Sequence, residues 1–299
     1  MKNVAPLRYG VVFKKAFSEP KVFKGFVRDF LGINLEIDRV ETEKSFPEPV
    51  GNVASRYDLF AEDKKNRIIV DIQHVRHSDH YHRFLHYHCA ALLEQVVKFS
   101  EYTPTRTVFT IVVLTSGDKH KNDIAVTDFD PKTLDGRSLN EIRHKILYIC
   151  PKYITPQTPE PYREWMRAFE DTLDGKVDET TYSLIEIRKV FELIERDTLS
   201  PEDRARIIDE RRNDKYGEEE FNKGITKGIE KGIAKGERRK AIKTAQAMLE
   251  RNMEINLISE LTGLSKMEIL HPMEIISSDD EQTKSDPAED WLLELPRDE

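Results

Sequence analysis

Residues 56–73 read RYDLFAEDKKNRIIVDIQ, and this stretch decides the fold. Two short runs of alternating apolar residues flank a polar KKN turn, the signature of a β-hairpin. Asp58 opens the first strand and Asp71 lies near the end of the second. With a side-chain period of two, Ile69, Asp71 and Gln73 share one face, while Ile68, Val70 and Ile72 share the other. The expectation is a buried apolar face and an opposite face presenting a carboxylate and an amide. Two carboxylates brought together repel unless a cation or a proton lies between them. A hard divalent ion with oxygen ligands suits that place, typically Mg²⁺ held by one or two carboxylates, waters and a phosphate.

Around the hairpin, residues 10–31 read as one or two short helices with Phe13, Phe17, Phe23, Val27 and Phe30 as apolar contacts. Leu35 to Val40 reads as a strand. Ser78 is placed to cap a long helix running to about Ser100. Its stripe at helical spacing is Tyr81, Phe84, Leu85, His88, Leu92, Val96 and Phe99. TVFTIVVL at 107–114 is a continuous β-branched run that suits a strand buried on both faces. KILYIC at 145–150 reads as another strand, and 124–129 as a further one inside a polar excursion. The order is therefore α, β, β, β, α, β. Beyond Pro151 helices are expected near 160–173, 182–197 and 201–213. KGITKGIEKGIAKG then repeats every four residues, and glycine costs about 1 kcal/mol each in a helix interior, so this helix is marginal unless it packs. Residues 241–270 read as short amphipathic helices with a turn at Thr262-Gly263.

With this order in view, Asp58 followed by Asp71-x-Gln73 resembles the PD-(D/E)XK nuclease motif in the variant that ends in Gln. It is similar to the recombination-promoting nuclease/putative transposase family. VVFKKAF resembles that family's opening helix, and HRFLHYHCAALLEQVVKFSEY the helix after the motif, with Arg83 and Tyr87 at characteristic places. ICPKYI resembles its closing strand and EPYREWMRAF the Trp-containing helix behind it, while the Lys-Gly repeats and LISELTGLS also match. The resemblance implies an α/β fold with a restriction-endonuclease-like core, a mixed sheet flanked by helices, and a helical C-terminal extension. It divides the chain into a nuclease-like domain (1–155), a helical extension (156–215), a Lys-Gly connector helix (216–243), a small helical hairpin (244–272) and an acidic tail (273–299).

The implied activity is Mg²⁺- or Mn²⁺-dependent cleavage of DNA. Asp58 and Asp71 are the expected metal ligands, with the Ile72 carbonyl beside them. Gln73 can orient a water by hydrogen bonding but can neither accept a proton near neutral pH nor supply charge. Arg83 is expected to pair with the phosphate or an active-site acid, or else to be solvated, and Lys14 to be an exposed helix residue. The chain departs from the family pattern in two places. Where an acid is usual three residues before the Phe of the opening FK pair there is Gly10, and Asp71 stands where Glu is commoner. These departures support a second reading, a protein of this fold that binds DNA or a partner without turnover.

Six of the nine histidines (His74, His77, His80, His82, His86 and His88) lie within fifteen residues. They are expected as surface and groove residues beside the site. His82 and His86, at i and i+4, have a spacing that two zinc ligands could use. Cys89 and Cys150 have no metal or redox spacing and read as reduced thiols. No apolar run reaches transmembrane length and the N-terminus lacks signal-peptide order, so a cytoplasmic location is expected. The net charge of −8 lies entirely in residues 274–299, which hold ten acids and two bases, while Lys223–Lys243 hold eight bases and two acids. DNA binding depends on local basic surface, so the total charge does not exclude it. The partners expected are DNA and a second copy of the chain through the C-terminal helices, with no membrane.

Overall fold

A computed structural model describes residues 1–46, 55–74, 79–95 and 103–271. It divides into two units, Met1–Gly217 and Glu218–Glu299. The first opens with β1 (Lys2–Asn3), α1 (Gly10–Phe17) and α2 (Pro20–Leu31), followed by β2 (Glu41–Ser45), β3 (Arg56–Glu62), β4 (Asn66–Gln73) and α3 (His80–Leu93). Next come β5 (Thr107–Leu114), β6 (Ile124–Asp128), β7 (Lys145–Ile149), α4 (Tyr162–Asp171), β8 (Lys176–Val177) and α5 (Ile185–Leu193). α6 (Pro201–Glu250) starts in this unit and continues into the second, which also holds α7 (Ile255–Thr262) and α8 (Lys266–Leu270).

The architecture is α/β. Six strands form one mixed sheet in the order β2-β3-β4-β5-β7-β6, while β1 and β8 pair separately. β2, β3 and β4 run as an antiparallel meander; β4, β5 and β7 are parallel; β6 returns antiparallel at the edge. The hairpin at the heart of the reading forms with a turn set by Asp63, whose Oδ1 accepts from the N–H groups of Lys65 and Asn66 at 2.7 Å each. This is the side-chain-to-backbone chemistry that makes Asp a turn former. The parallel step from β4 to β5 needs a crossover, and α3 lies on it.

One sheet face carries α1, α2, α4 and α5 over Leu59, Ile68, Val70, Ile111 and Val113; the other carries α3 over Ile69, Val108, Val112 and Tyr148. On the first face Trp165 packs against Phe17 and Phe26 and donates from Nε1 to Asp29 at 2.8 Å. α2 starts with Pro20 and ends at Gly32, φ 69°, the usual asymmetry of helix ends. The five expected apolar contacts of residues 10–31 are all buried. β5 is buried on both faces, which explains its unbroken apolar run.

Several expectations are corrected. The strand begins at Glu41, not Leu35; Leu35 and Ile37 are buried through their side chains, but only residues from 41 onward pair with β3. The helix expected over 201–213 continues to Glu250, through the Lys-Gly repeat. There Ile225, Ile229 and Ile233 are exposed, and a Cβ at Gly224, Gly228, Gly232 or Gly236 would meet nothing within 4 Å. In the second unit Ile242 and Ala245 of α6 close a small core with Ile258, Leu264 and Ile269, around a left-handed turn at Gly263. Cys89 and Cys150 are both free. Among the described residues no helix is long and apolar enough to cross a membrane. Ser78, His77, Val96, Phe99 and the acidic tail lie outside the described residues.

Candidate functional site

The pairing of β3 with β4 runs from Glu62↔Arg67 to Leu59↔Val70 and stops. The next facing pair is Asp58 and Asp71, and here the carboxylates take over from the backbone ladder. Asp58 N–H donates to Asp71 Oδ1 at 3.0 Å, and Ile72 N–H donates to Asp58 Oδ2 at 3.0 Å. From this point the strands part. β3 stays with β2 through Lys44↔Tyr57 and Ser45↔Arg56, while β4 stays with β5 through Gln73↔Leu114. The two acids therefore sit in the crotch of a fork in the sheet.

The same row extends one strand further. The β2–β3 pairing skips the facing positions Glu43 and Asp58, although it holds on either side at Thr42↔Leu59 and Lys44↔Tyr57. Glu43 lies in the left-handed region with φ 56°, a conformation that costs a non-glycine residue about 1–2 kcal/mol. Three acidic positions, 43, 58 and 71, thus lie in one row across three neighbouring strands. Glu43 is ion-paired with both Lys14 and Arg56. Burial pushes its carboxyl pKa upward, but Lys14 and Arg56 outweigh that and hold it below the ordinary value.

Burial separates the members of the row. Asp71 is 5% exposed and Gln73 8%, so the face expected to be open is covered by α3. The Asp58 side chain keeps 26% of its surface exposed. Burial, and then the nearby Asp58 charge, push the Asp71 carboxyl up to about 8. Burial also raises Asp58, opposed by the Ile72 N–H and the Lys14 charge. The apo pair therefore holds a proton at neutral pH. Asp71 Oδ2 is buried without a hydrogen-bond partner among the described residues, as are both amide atoms of Gln73. A buried carboxylate oxygen left without a donor is costly, and a hard cation satisfies it. An ion of the Mg²⁺ class takes one or two carboxylates and leaves its other positions to water and phosphate, so Asp58 and Asp71 fit such an ion. Among the described residues no three His, Cys, Asp or Glu side chains are gathered for a metal.

Two cations approach from opposite helix layers. Arg83, exposed on α3, lies with its guanidinium 5.3 Å from the Tyr87 ring centroid, and its charge draws down the carboxyls of both Asp58 and Asp71. Lys14, expected to be exposed, is instead 21% exposed and bonded to Glu43, with Nζ 3.7 Å from Asp58 Oδ1. Gly10 receives an acid of another kind, as a helix cap. Glu210 of α6 accepts from Gly10 N–H at 2.6 Å and Val11 N–H at 3.0 Å, capping a helix that has no acid in its own first turn.

The histidines are not one surface set. His88 is fully buried, with Nδ1 2.9 Å from Thr110 Oγ1 and its ring stacked on Phe129, and burial drives its pKa down to about 3. His80 is buried beside Asp118, and His74 reaches Thr115. His82 and His86 lie on the outer side of α3, and no third ligand joins them among the described residues. Lys14, Glu43, Arg56 and Glu210 were missed by sequence reasoning as members of the site. Of these only Lys14 was named from the sequence, as an exposed helix residue; Glu43 lies beyond the strand expected over 35–40 and left no signal. The chain matches no family model and no curated protein.

Proposed function

We propose that this chain is a divalent-cation-dependent DNA endonuclease with a PD-(D/E)XK-type core, of the recombination-promoting nuclease/putative transposase kind. The observation that carries the reading is the Asp58–Asp71 pair in the fork of the sheet, with Asp71 Oδ2 buried and lacking a donor among the described residues. Gln73 follows two residues on, on the same face as Asp71. The α, β, β, β, α, β order of the sheet and its helices supports the same reading.

Asp58 and Asp71 would hold Mg²⁺ or Mn²⁺, which when bound supplies Lewis-acid polarisation of the phosphate and a more acidic water. Asp71 must give up its proton for this. The Gln73 amide, without a hydrogen-bond partner among the described residues, donates to or accepts from the attacking water and sets its direction. Arg83 meets a non-bridging phosphate oxygen from the α3 side. The eight bases of Lys223–Lys243 offer a sequence-independent phosphate track, and the exposed isoleucines of the same helix offer a face for a second copy. The competing reading, DNA binding without turnover, is favoured by Gly10, by Asp71 in place of Glu and by the uncharged Gln73.

Supercoiled plasmid incubated with Mg²⁺ or Mn²⁺, with and without chelator, tests the proposal. The wild-type protein is expected to nick, and Asp58→Ala and Asp71→Ala to bind without nicking while remaining cooperatively folded in thermal melting. Nicking by purified Asp71→Ala at the wild-type rate refutes the assignment. Binding without nicking by the wild type selects the competing reading.

A further inference from the structure

Gln73 cannot supply positive charge, and phosphodiester hydrolysis builds negative charge on the phosphoryl oxygens. The fold brings a cation to this place by another route. α1 buries Phe13 and Phe17 against the sheet, and Glu210 fixes its first turn. Lys14, between those phenylalanines, is thereby directed over the end of β3. Its ammonium is bonded to Glu43 and stands 3.7 Å from Asp58 Oδ1. Its charge is also felt at Asp71 and at Glu210. Lys14 therefore stands among four acids from β2, β3, β4 and α6.

Glu43 shows that this placement is built. A glutamate at φ 56° occupies a backbone region that favours glycine or asparagine. Strain of this kind persists where the surroundings over-determine it, and here two ion pairs, with Lys14 and Arg56, hold it. The Arg56 side chain is exposed and its pair is worth little, so the half-buried Lys14 is the stronger partner of the Glu43 carboxylate. Lys14 is bonded to Glu43, while Asp71 Oδ2 has no donor among the described residues.

We propose that Lys14 is the catalytic cation of this site, contacting the phosphoryl oxygen in the role Gln73 cannot fill, and that Glu43 is its positioning residue. The inference rests on the nuclease reading. It assigns the charge to a helix on the opposite sheet face from Arg83, so the phosphate is gripped from both layers.

The test is steady-state plasmid nicking by the full-length chain with Mn²⁺, together with thermal melting. Lys14→Met should lower kcat on the order of 100-fold, with KM for DNA little changed. Adding Gln73→Lys to Lys14→Met returns a positive charge from the neighbouring strand and should recover at least about tenfold. Lys14→Arg should keep more activity than Lys14→Met. Glu43→Gln should lose about tenfold in kcat, and Glu43→Asp, which keeps the carboxylate at a backbone angle Asp tolerates, should recover part of it. Nicking by Lys14→Met at the wild-type rate, with Asp71→Asn inactive, overturns the inference and leaves the nuclease reading standing. A loss in Lys14→Met that neither Lys14→Arg nor Gln73→Lys relieves makes Lys14 structural and also overturns it. Absence of chelator-sensitive nicking by the wild type removes both.

Discussion

Replacing Asp71 by Asn exchanges one side-chain oxygen for an NH₂ group and removes a buried titratable group. In the apo protein the Asp71 carboxyl holds its proton up to about pH 8, against an ordinary value of 3.8. The folded state therefore binds more protons than the unfolded state across that window. Its stability falls as pH rises through it. The amide introduced by Asp71→Asn has no proton to lose, and its carbonyl oxygen can still accept from Asp58 N–H. At pH 7 the wild type has climbed about three pH units into this window, each worth about 1.36 kcal/mol, so the variant gains on the order of 4 kcal/mol. For a unit of roughly 200 residues this raises Tm by about 10 °C. At pH 4.5 wild type and variant should melt close together. The assay is thermal melting in chelator between pH 4.5 and 8.5, repeated with Mg²⁺. Mg²⁺ should stabilise the wild type at pH 8 and leave Asp71→Asn unmoved, because only the wild type offers the second carboxylate. A Tm difference that is the same at pH 4.5 and pH 8.5 would refute the account of Asp71 as a buried, proton-holding acid.

Glu210→Ala leaves the N–H groups of Gly10 and Val11 without their acceptor, and denaturant titration should show a loss of about 1–2 kcal/mol. Glu210→Gln should lose less. Replacing Gly224, Gly228, Gly232 and Gly236 together by Ala meets no neighbour and should stabilise this stretch of α6 by about 1 kcal/mol per site, read as higher helicity on heating by circular dichroism; unchanged helicity would mean that the stretch is not helical in solution. Residues 274–299 carry ten acids and two bases, and on the proposal that they compete with DNA for the basic repeat, truncation after Met273 should tighten non-specific DNA binding at low salt. Neutralising Lys223, Lys227, Lys231 and Lys235 should cancel that gain, and superimposable titration curves would leave the tail no such role.

The facing of Asp58 and Asp71 was legible in the chain because it is local. A turn of fixed length, closed by Asp63, sets the register of two strands that alternate with period two, so position 58 must oppose position 71. The same short-range rules made β5, β7, α1 and α2 readable, since apolar spacing and helix-end residues act within a few positions. Leu35–Val40 misled for a physical reason: its apolar residues are buried by packing without joining a ladder, and periodicity reports burial, not hydrogen bonding. What surrounds the two acids was decided only by tertiary structure. Lys14 meets Glu43 across 29 residues, and Glu210 reaches Gly10 across 200. Such meetings depend on how the helices lie across the sheet. α3 covers the face of Asp71 and Gln73, and α1 lays Lys14 over the end of β3. Charged side chains carry no periodic signature of their partners, because the partner is chosen by packing that the apolar residues of other segments determine.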